Sequence, residues 1–140
     1  MKINIFYDEI EYRLKGIKNI KDLIEKVIME EKFIPGDLNF VITNDERLKE
    51  INIEFLKHNY FTDVIAFNYS ENNRINGEIY VSLETVKRNA VVYKVSLRME
   101  LLRVMIHGTL HLCGYNDKTE NERNVMKLIE DRWIIRSKEM

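Results

Sequence analysis

The segment from residue 97 to residue 113 is the feature that most constrains the fold, because its apolar residues point in almost every direction around a helix. A helix of this kind is buried. Four of its polar side chains form one narrow stripe, which consists of Glu100, Arg103, His107 and His111. Because an uncompensated polar group in a core is costly, we expect this stripe to face a cleft, a partner or a metal ion.

The stripe ends in "HGTLHLCGYND", residues 107 to 117, where two histidines lie four residues apart. Gly114 can take the left-handed conformation that ends a helix, so the chain can fold back and bring Asp117 towards both imidazoles. An isolated pair with this spacing is more often two hydrogen-bonded core histidines. The whole pattern, however, offers three ligands of types that zinc accepts and leaves a fourth position for water. We therefore predict an open site for one Zn²⁺ per chain, or another divalent ion, at His107, His111 and Asp117.

Two neighbouring residues narrow this prediction. Cys113 falls on the apolar side of the helix and is expected to be a small buried hydrophobe, not a fourth ligand. Zinc proteases with the pattern H-E-x-x-H use the glutamate as a general base, and Gly108 occupies that position here. A metalloprotease is therefore the least favoured function.

Hydrophobic periodicity predicts one α/β-type domain over residues 1–140, a short sheet covered by helices. The predicted strands are "INIFY", "LNFVIT", "DVIAFNY" and "EIYVSL". Five helices are predicted. The first lies near residues 20–28 and is stopped by Pro35 and Gly36, and the third lies across about 84–94. The second is capped by Asn44, the fourth by Ser96, and the fifth begins with a capping box formed by Thr119 and Glu122. The buried stripe of the last helix is expected to consist of Val125, Met126, Ile129 and Trp133.

Composition sets broad limits on the function. The chain has 140 residues, a formal net charge of −1 and one cysteine. A single cysteine excludes an internal disulfide framework and favours the reducing cytoplasm, and no apolar run approaches the ~20 residues that span a bilayer. The charge argues against a general nucleic-acid binder but allows a local basic face.

The histidine segment resembles the hallmark H-G-x-L-H-L-x-G-Y-D-H of the YbeY family of bacterial rRNA maturation factors, which are zinc-dependent single-strand endoribonucleases. Upstream, "INIEFLKHNYFTDVIAF" is similar to the family's L-N-x-x-Y-R-x-K-D-x-P-T-D-V-L-S-F, and "GEIYVS" to G-D-I-x-I-S. Downstream, "ENERNVMKLIEDR" resembles the family's acidic final helix. The similarity extends over roughly residues 39 to 132.

This resemblance implies a small mixed four-stranded sheet packed with about five helices, an α+β domain with a metzincin-like metal site. It also implies a cytoplasmic, metal-dependent endoribonuclease that acts on single-stranded RNA in maturation of the 16S rRNA 3′ end and in late ribosome quality control. The partners would be ribosomal RNA and the small ribosomal subunit, with no membrane. The alternative is a non-catalytic ribosome-assembly factor whose metal is structural.

The chain departs from the family pattern at two positions. Asp117 stands where the family has a third histidine; because a carboxylate is an anion, bound water should be less acidic, which favours a more alkaline pH optimum or a harder metal such as manganese. Leu56 stands where the family has an arginine. Lys57 and His58 are the candidates to supply the missing positive charge, against the alternative that both are ordinary solvated residues.

The remaining candidates have a structural alternative each. Asp63 either lines the cleft or, with Thr62, starts a strand through side-chain to backbone hydrogen bonds. Glu100 and Arg103 are expected to form an ion pair or to support the metal ligands. A tentative RNA-binding face consists of Lys87, Arg88, Lys94 and Arg98, although such a run is more often a solvated helix surface.

Overall fold

The computed structural model describes residues 2–58 and 62–139. The residues "NYF", which belong to one of the family-like segments, lie outside the described residues. The described chain contains four strands and five helices: β1 Lys2–Tyr7, α1 Ile17–Glu30, β2 Ile34–Thr43, α2 Asp45–Leu56, β3 Val64–Asn68, β4 Arg74–Ser82, α3 Leu83–Tyr93, α4 Leu97–Leu112 and α5 Glu120–Ser137.

The strands form one mixed sheet in the order β1-β2-β4-β3. β1 pairs with β2 and β2 with β4 in parallel, whereas β3 pairs with β4 in the antiparallel direction. The mixed four-stranded sheet with five helices that the resemblance implied is therefore confirmed.

α4 lies at the centre of the molecule. Ten of its residues are buried, among them Leu101, Met105, Ile106 and Leu110. It packs against the sheet and against α1, α3 and α5, which explains why an almost wholly apolar helix is stable here. α2 covers the opposite face of the sheet, where a smaller cluster contains Leu48, Ile51 and Ile65. No helix among the described residues is long and apolar enough to cross a bilayer.

The predicted helix starts are present. Asn44 accepts a hydrogen bond from the backbone N–H of Arg47 at 2.8 Å, and Ser96 accepts one from that of Met99 at 3.1 Å. Thr119 and the residue three positions later form the full capping box. These caps satisfy backbone donors that a helix end leaves free, so they fix where α2, α4 and α5 begin.

Two details of the predicted elements are wrong. Pro35 and Gly36 do not stop the first helix; they lie in β2, where the register with β4 is irregular between Pro35 and Leu38. α1 has already ended at Glu30, and the chain turns at Lys32, whose φ is 69°. Val125 is not part of the buried stripe of α5, since it is 47% exposed.

Candidate metal centre

Three side chains converge at the C-terminal end of α4. The Nε2 atoms of His107 and His111 lie 3.0 Å apart, and Oδ2 of Asp117 lies 3.2 Å and 3.3 Å from them. Among the described residues, these three form the group whose ligand atoms are close enough to share one ion. Tetrahedral zinc with bonds of about 2.0–2.1 Å separates its ligand atoms by roughly 3.3 Å, so this spacing fits a metal ion.

The hydrogen bond at Nδ1, the other ring nitrogen, fixes the tautomer of each imidazole. Nδ1 of His107 lies 2.6 Å from Oε2 of Glu130, and Nδ1 of His111 lies 2.9 Å from the backbone oxygen of Tyr115. Both partners are acceptors, so Nδ1 carries the proton in each neutral ring. The two Nε2 atoms therefore present lone pairs to one another and to the carboxylate of Asp117. Three such atoms at this distance need a cation between them.

The pKa of His107 reflects the same need. Burial lowers the pKa of His107, but its hydrogen bond to Glu130 and the charges of Glu130, Asp117 and Asp63 outweigh this effect, so the net shift is upward. Without a metal, a proton on the imidazole is the cation that these carboxylates favour. A bound metal replaces that proton, so metal binding and protonation compete.

The turn after α4 brings Asp117 into place. Gly114 has φ 103°, as expected for a glycine that ends a helix, and its N–H donates to the backbone oxygen of His111 at 3.0 Å. Tyr115 then holds the turn against the end of α1, because its hydroxyl donates to Glu31 at 2.6 Å. The turn thus positions both Asp117 and the carbonyl that orients His111.

Cys113 takes no part in the group of ligands in the described chain. It is partly buried against the hydrophobic core, and burial, helped by the charge of Glu31, raises the pKa of its thiol to about 12. A thiol that keeps its proton is a poor metal ligand.

Gly108 faces the sheet. A Cβ atom at this position would lie 2.8 Å from Cγ2 of Ile79, which is fully buried in β4. The position that carries the base in H-E-x-x-H proteases therefore has no room for a side chain here, which further disfavours metalloprotease activity.

Sequence reasoning missed Glu130, the acceptor for His107. This glutamate is only 6% exposed and lies on the face of α5 that also buries Met126 and Trp133. The sequence did contain a signal for this role: Glu130 falls among the apolar positions that form the buried face of the helix. Because a carboxylate is buried only when it is paired, its position there indicates a partner.

Arg103 forms its ion pairs with α5 and not with Glu100, the partner that the sequence suggested. Its guanidinium donates to Glu130 at 3.3 Å and to Asp131 at 2.7 Å. Glu100 is buried beside it, and burial raises the pKa of Glu100 although the charge of Arg103 opposes this shift. Arg103 thus holds the carboxylate of Glu130, which in turn contacts His107.

Asp63 and His58 lie near the two histidines. A cavity of about 470 Å³ is lined by both of them and by His107, His111 and Asp117. Burial raises the pKa of Asp63, and the nearby His107 opposes this shift. Lys57 lies further out: it ends α2 with φ 60°, and its ammonium group donates to the backbone oxygen of Glu54 at 3.4 Å.

The four residues of the tentative RNA-binding face are not brought to the centre. Arg88 pairs with Asp45 at 2.9 Å, and Arg98 donates to the backbone oxygen of Lys15. Lys87 and Lys94 are exposed on α3 and at its end. The cationic side chains of the described chain that line the cavities beside the histidines are instead Arg103, Arg123 and Lys127, together with any charge on His58.

Comparisons with known proteins find one family for the sequence and a solved structure of similar fold. The family model for Endoribonuclease YbeY matches residues 4–137. The protein named Endoribonuclease YbeY from Flavobacterium johnsoniae is 41% identical to this chain, and the match covers 94% of each chain. The one from Parabacteroides distasonis is 44% identical, over 94% of this chain and 93% of its own length. The one from Amoebophilus asiaticus is 42% identical, over 96% of this chain and 93% of its own length. The solution structure of a protein from Thermotoga maritima superposes with a TM-score of 0.66 at 30% identity, covering 97% of this chain and 89% of that one.

Proposed function

The chain belongs to the YbeY family of endoribonucleases, and on that premise we propose that it is a metal-dependent hydrolase that cleaves single-stranded RNA at the centre formed by His107, His111 and Asp117. One observation carries the proposal: three lone-pair atoms converge within 3.3 Å at the end of a buried helix. A divalent ion held there would supply Lewis-acid activation of a phosphodiester and of water.

The residues around the ligands have separate tasks. Glu130 accepts from Nδ1 of His107 and the carbonyl of Tyr115 accepts from that of His111, so both rings are held with Nε2 turned inward. Arg103 holds Glu130 in this position. His58, which lines the cavity on the β3 side, and Lys57 beside it are proposed to offset the charge that develops on the phosphate.

We propose Zn²⁺ as the ion, one per chain, because two imidazoles and one carboxylate are ligands that zinc accepts with a position left open. Manganese is the alternative, since the carboxylate makes the site harder. The proposed substrate is ribosomal RNA of the small subunit at the 3′ end of 16S rRNA, processed in the cytoplasm by residues 1–140 acting as one domain. The support for these finer assignments is the resemblance of the histidine motif to that of rRNA maturation factors.

Cleavage by pure protein tests the proposal. Single-stranded precursor RNA should be cut by the wild type and by Asp131→Asn, a control that changes a neighbouring carboxylate away from the ligands. His111→Ala should lose cleavage while its circular dichroism spectrum is retained. Equal cleavage by wild type and His111→Ala, with binding to the small subunit intact, would instead support an assembly factor whose metal is structural.

A further inference from the structure

A second cavity opens on the side of His107 that faces α3 and α5. Its volume is about 520 Å³, within the range of small-ligand sites. Its walls come from three helices: Asn89 and Tyr93 from α3, Glu100 from α4, and Lys127 from α5 are among the residues that line it. His107 and Asp117 line this cavity and also the one on the β3 side, so the metal centre lies between the two.

Glu100 is the buried polar group in the wall of this cavity whose role is unexplained. It is 5% exposed, and its carboxyl group makes no hydrogen bond with any residue that the structure describes; its interactions are with the charges of Arg103, Asp63 and Glu130. Among the described residues Trp133 Nε1 is the buried side-chain polar atom without a hydrogen-bond partner, so the Glu100 oxygens reach the open space of the cavity. A carboxylate in that position can accept hydrogen bonds from a ligand with N–H donors.

Tyr93 lies at the mouth of the same cavity. It is the last residue of α3, and its side chain is 62% exposed. An exposed aromatic ring beside a cleft is a stacking platform for an unpaired base. Asn89, one helical turn earlier, adds an amide that both donates and accepts hydrogen bonds.

The charges of the cavity select a base over a phosphate. Four carboxyl groups line it, those of Asp63, Glu100, Asp117 and Glu130. Of the cations, Arg103 is already paired with α5, and Arg123 and Lys127 are exposed. Glu130 is in turn paired with Arg103, and a metal ion would offset the charge of Asp117. The carboxyl groups that remain to meet a ligand are Asp63 and Glu100, which favour a neutral base with N–H groups over a phosphate.

We propose that this cavity is a subsite for one unpaired nucleobase of the RNA strand whose phosphate lies at the metal centre, with Tyr93 stacking on the base and Glu100 accepting its N–H groups. The proposal rests on the proposed endoribonuclease function. Guanine is the favoured base, because its N1–H and N2–H groups are adjacent donors that one carboxylate accepts together. Uracil is disfavoured, because two carbonyl oxygens flank its single N–H.

Binding of short RNAs to the metal-loaded protein tests the subsite. The probes are cleavage-resistant 2′-O-methyl oligouridines in which a single guanosine occupies each position in turn, and affinity is measured by fluorescence anisotropy. For the wild type we expect one position at which guanosine binds roughly tenfold more tightly than uridine, as one bidentate contact gives. Glu100→Gln should abolish this preference and leave binding of all-uridine RNA nearly unchanged.

Tyr93→Leu keeps the test decisive if Glu100→Gln folds poorly, because an exposed side chain contributes little to folding. It should weaken binding at the same position on the order of tenfold, as the loss of one stacked base does. Tyr69→Leu is the matched control: this tyrosine is similarly exposed, at 58%, and does not line either cavity beside the histidines.

The results separate the subsite from the proposed function. A guanosine preference that is absent, or that survives Glu100→Gln, overturns the subsite; if His111→Ala still abolishes cleavage, the endoribonuclease function stands. A preference that Glu100→Gln abolishes supports the subsite even where RNA cleavage proves independent of His111, and in that case the cleavage proposal fails.

Discussion

His107 and Glu130 meet across the interface between α4 and α5, with Nδ1 of the imidazole 2.6 Å from a carboxylate oxygen. Through this contact α5 would influence the proposed metal centre, although none of the proposed ligands lies on α5. The carboxylate fixes the ring orientation and strengthens Nε2 as a donor to a metal.

Glu130→Gln should therefore weaken metal binding about 10–100-fold, the usual cost of losing such a support. Competition with a chelating dye measures the affinity. Asp131→Asn is the control, because Asp131 also pairs with Arg103 but forms no hydrogen bond with the imidazole of His107. Equal affinities for the wild type and Glu130→Gln would show that the contact serves packing alone.

The stability of the metal-free protein should depend on pH through His107. The pKa of His107 is raised in the folded state, so its protonation stabilises the fold below the unfolded value of about 6.5, and this contribution is lost as pH rises through the folded pKa. The free energy of unfolding of the wild type should thus exceed that of His107→Gln by a larger margin near pH 6 than near pH 9.

Urea denaturation in the presence of a chelator measures this difference. In a Glu130→Gln background this difference should depend less on pH, because the hydrogen bond and the charge that raise the pKa of His107 are lost. A pH-independent difference between wild type and His107→Gln would contradict the prediction.

The carboxylate at position 117 should shift the pH dependence of cleavage. Relative to a third imidazole it lowers the net charge of the centre by one, so groups bound to the metal become less acidic. Asp117→His should consequently reach half-maximal cleavage at a lower pH than the wild type. Metal content is measured in both proteins, and identical pH profiles at equal metal content would refute the argument.

Gly108→Ala should destabilise the fold by about 1–2 kcal/mol. Overpacking against Ile79 costs roughly 1–3 kcal/mol, and the better helix propensity of alanine returns up to about 1 kcal/mol. Thermal or urea denaturation gives the change. In an Ile79→Ala background the same substitution should cost less, because the atoms that it meets are gone; an equal cost in both backgrounds would exclude the steric explanation.

Much of the centre could be predicted because it is local in sequence. The i, i+4 spacing places both histidines on one face of α4, and Gly114 indicates the turn that returns Asp117 to them. An apolar pattern around the whole helix predicts its burial without knowledge of its neighbours. The ligand set needed only these 11 residues, 107 to 117.

The other parts of the site depend on contacts between distant segments. The spacing of α5 can place Glu130 on its buried face, but nothing within α5 identifies His107 on α4, 23 residues earlier, as its partner. Arg88 and Arg98 looked like free surface cations, but their partners, Asp45 and the backbone of Lys15, lie 43 and 83 residues away. Pro35 and Gly36 resemble a helix stop, yet parallel pairing with β4 draws them into the sheet.

The burial of α4 also determines how a metal ion can enter and leave. His107 and His111 lie on a helix packed on nearly all sides, and each Nδ1 is held by an acceptor, so turning either ring aside would break that hydrogen bond. Asp117 lies instead in a turn between two helices, which backbone hydrogen bonds, the Tyr115 hydroxyl and the Arg123 guanidinium hold in place. The rate of metal exchange should therefore be set by how often that turn opens and moves Asp117 away, while the two histidines stay in place on α4.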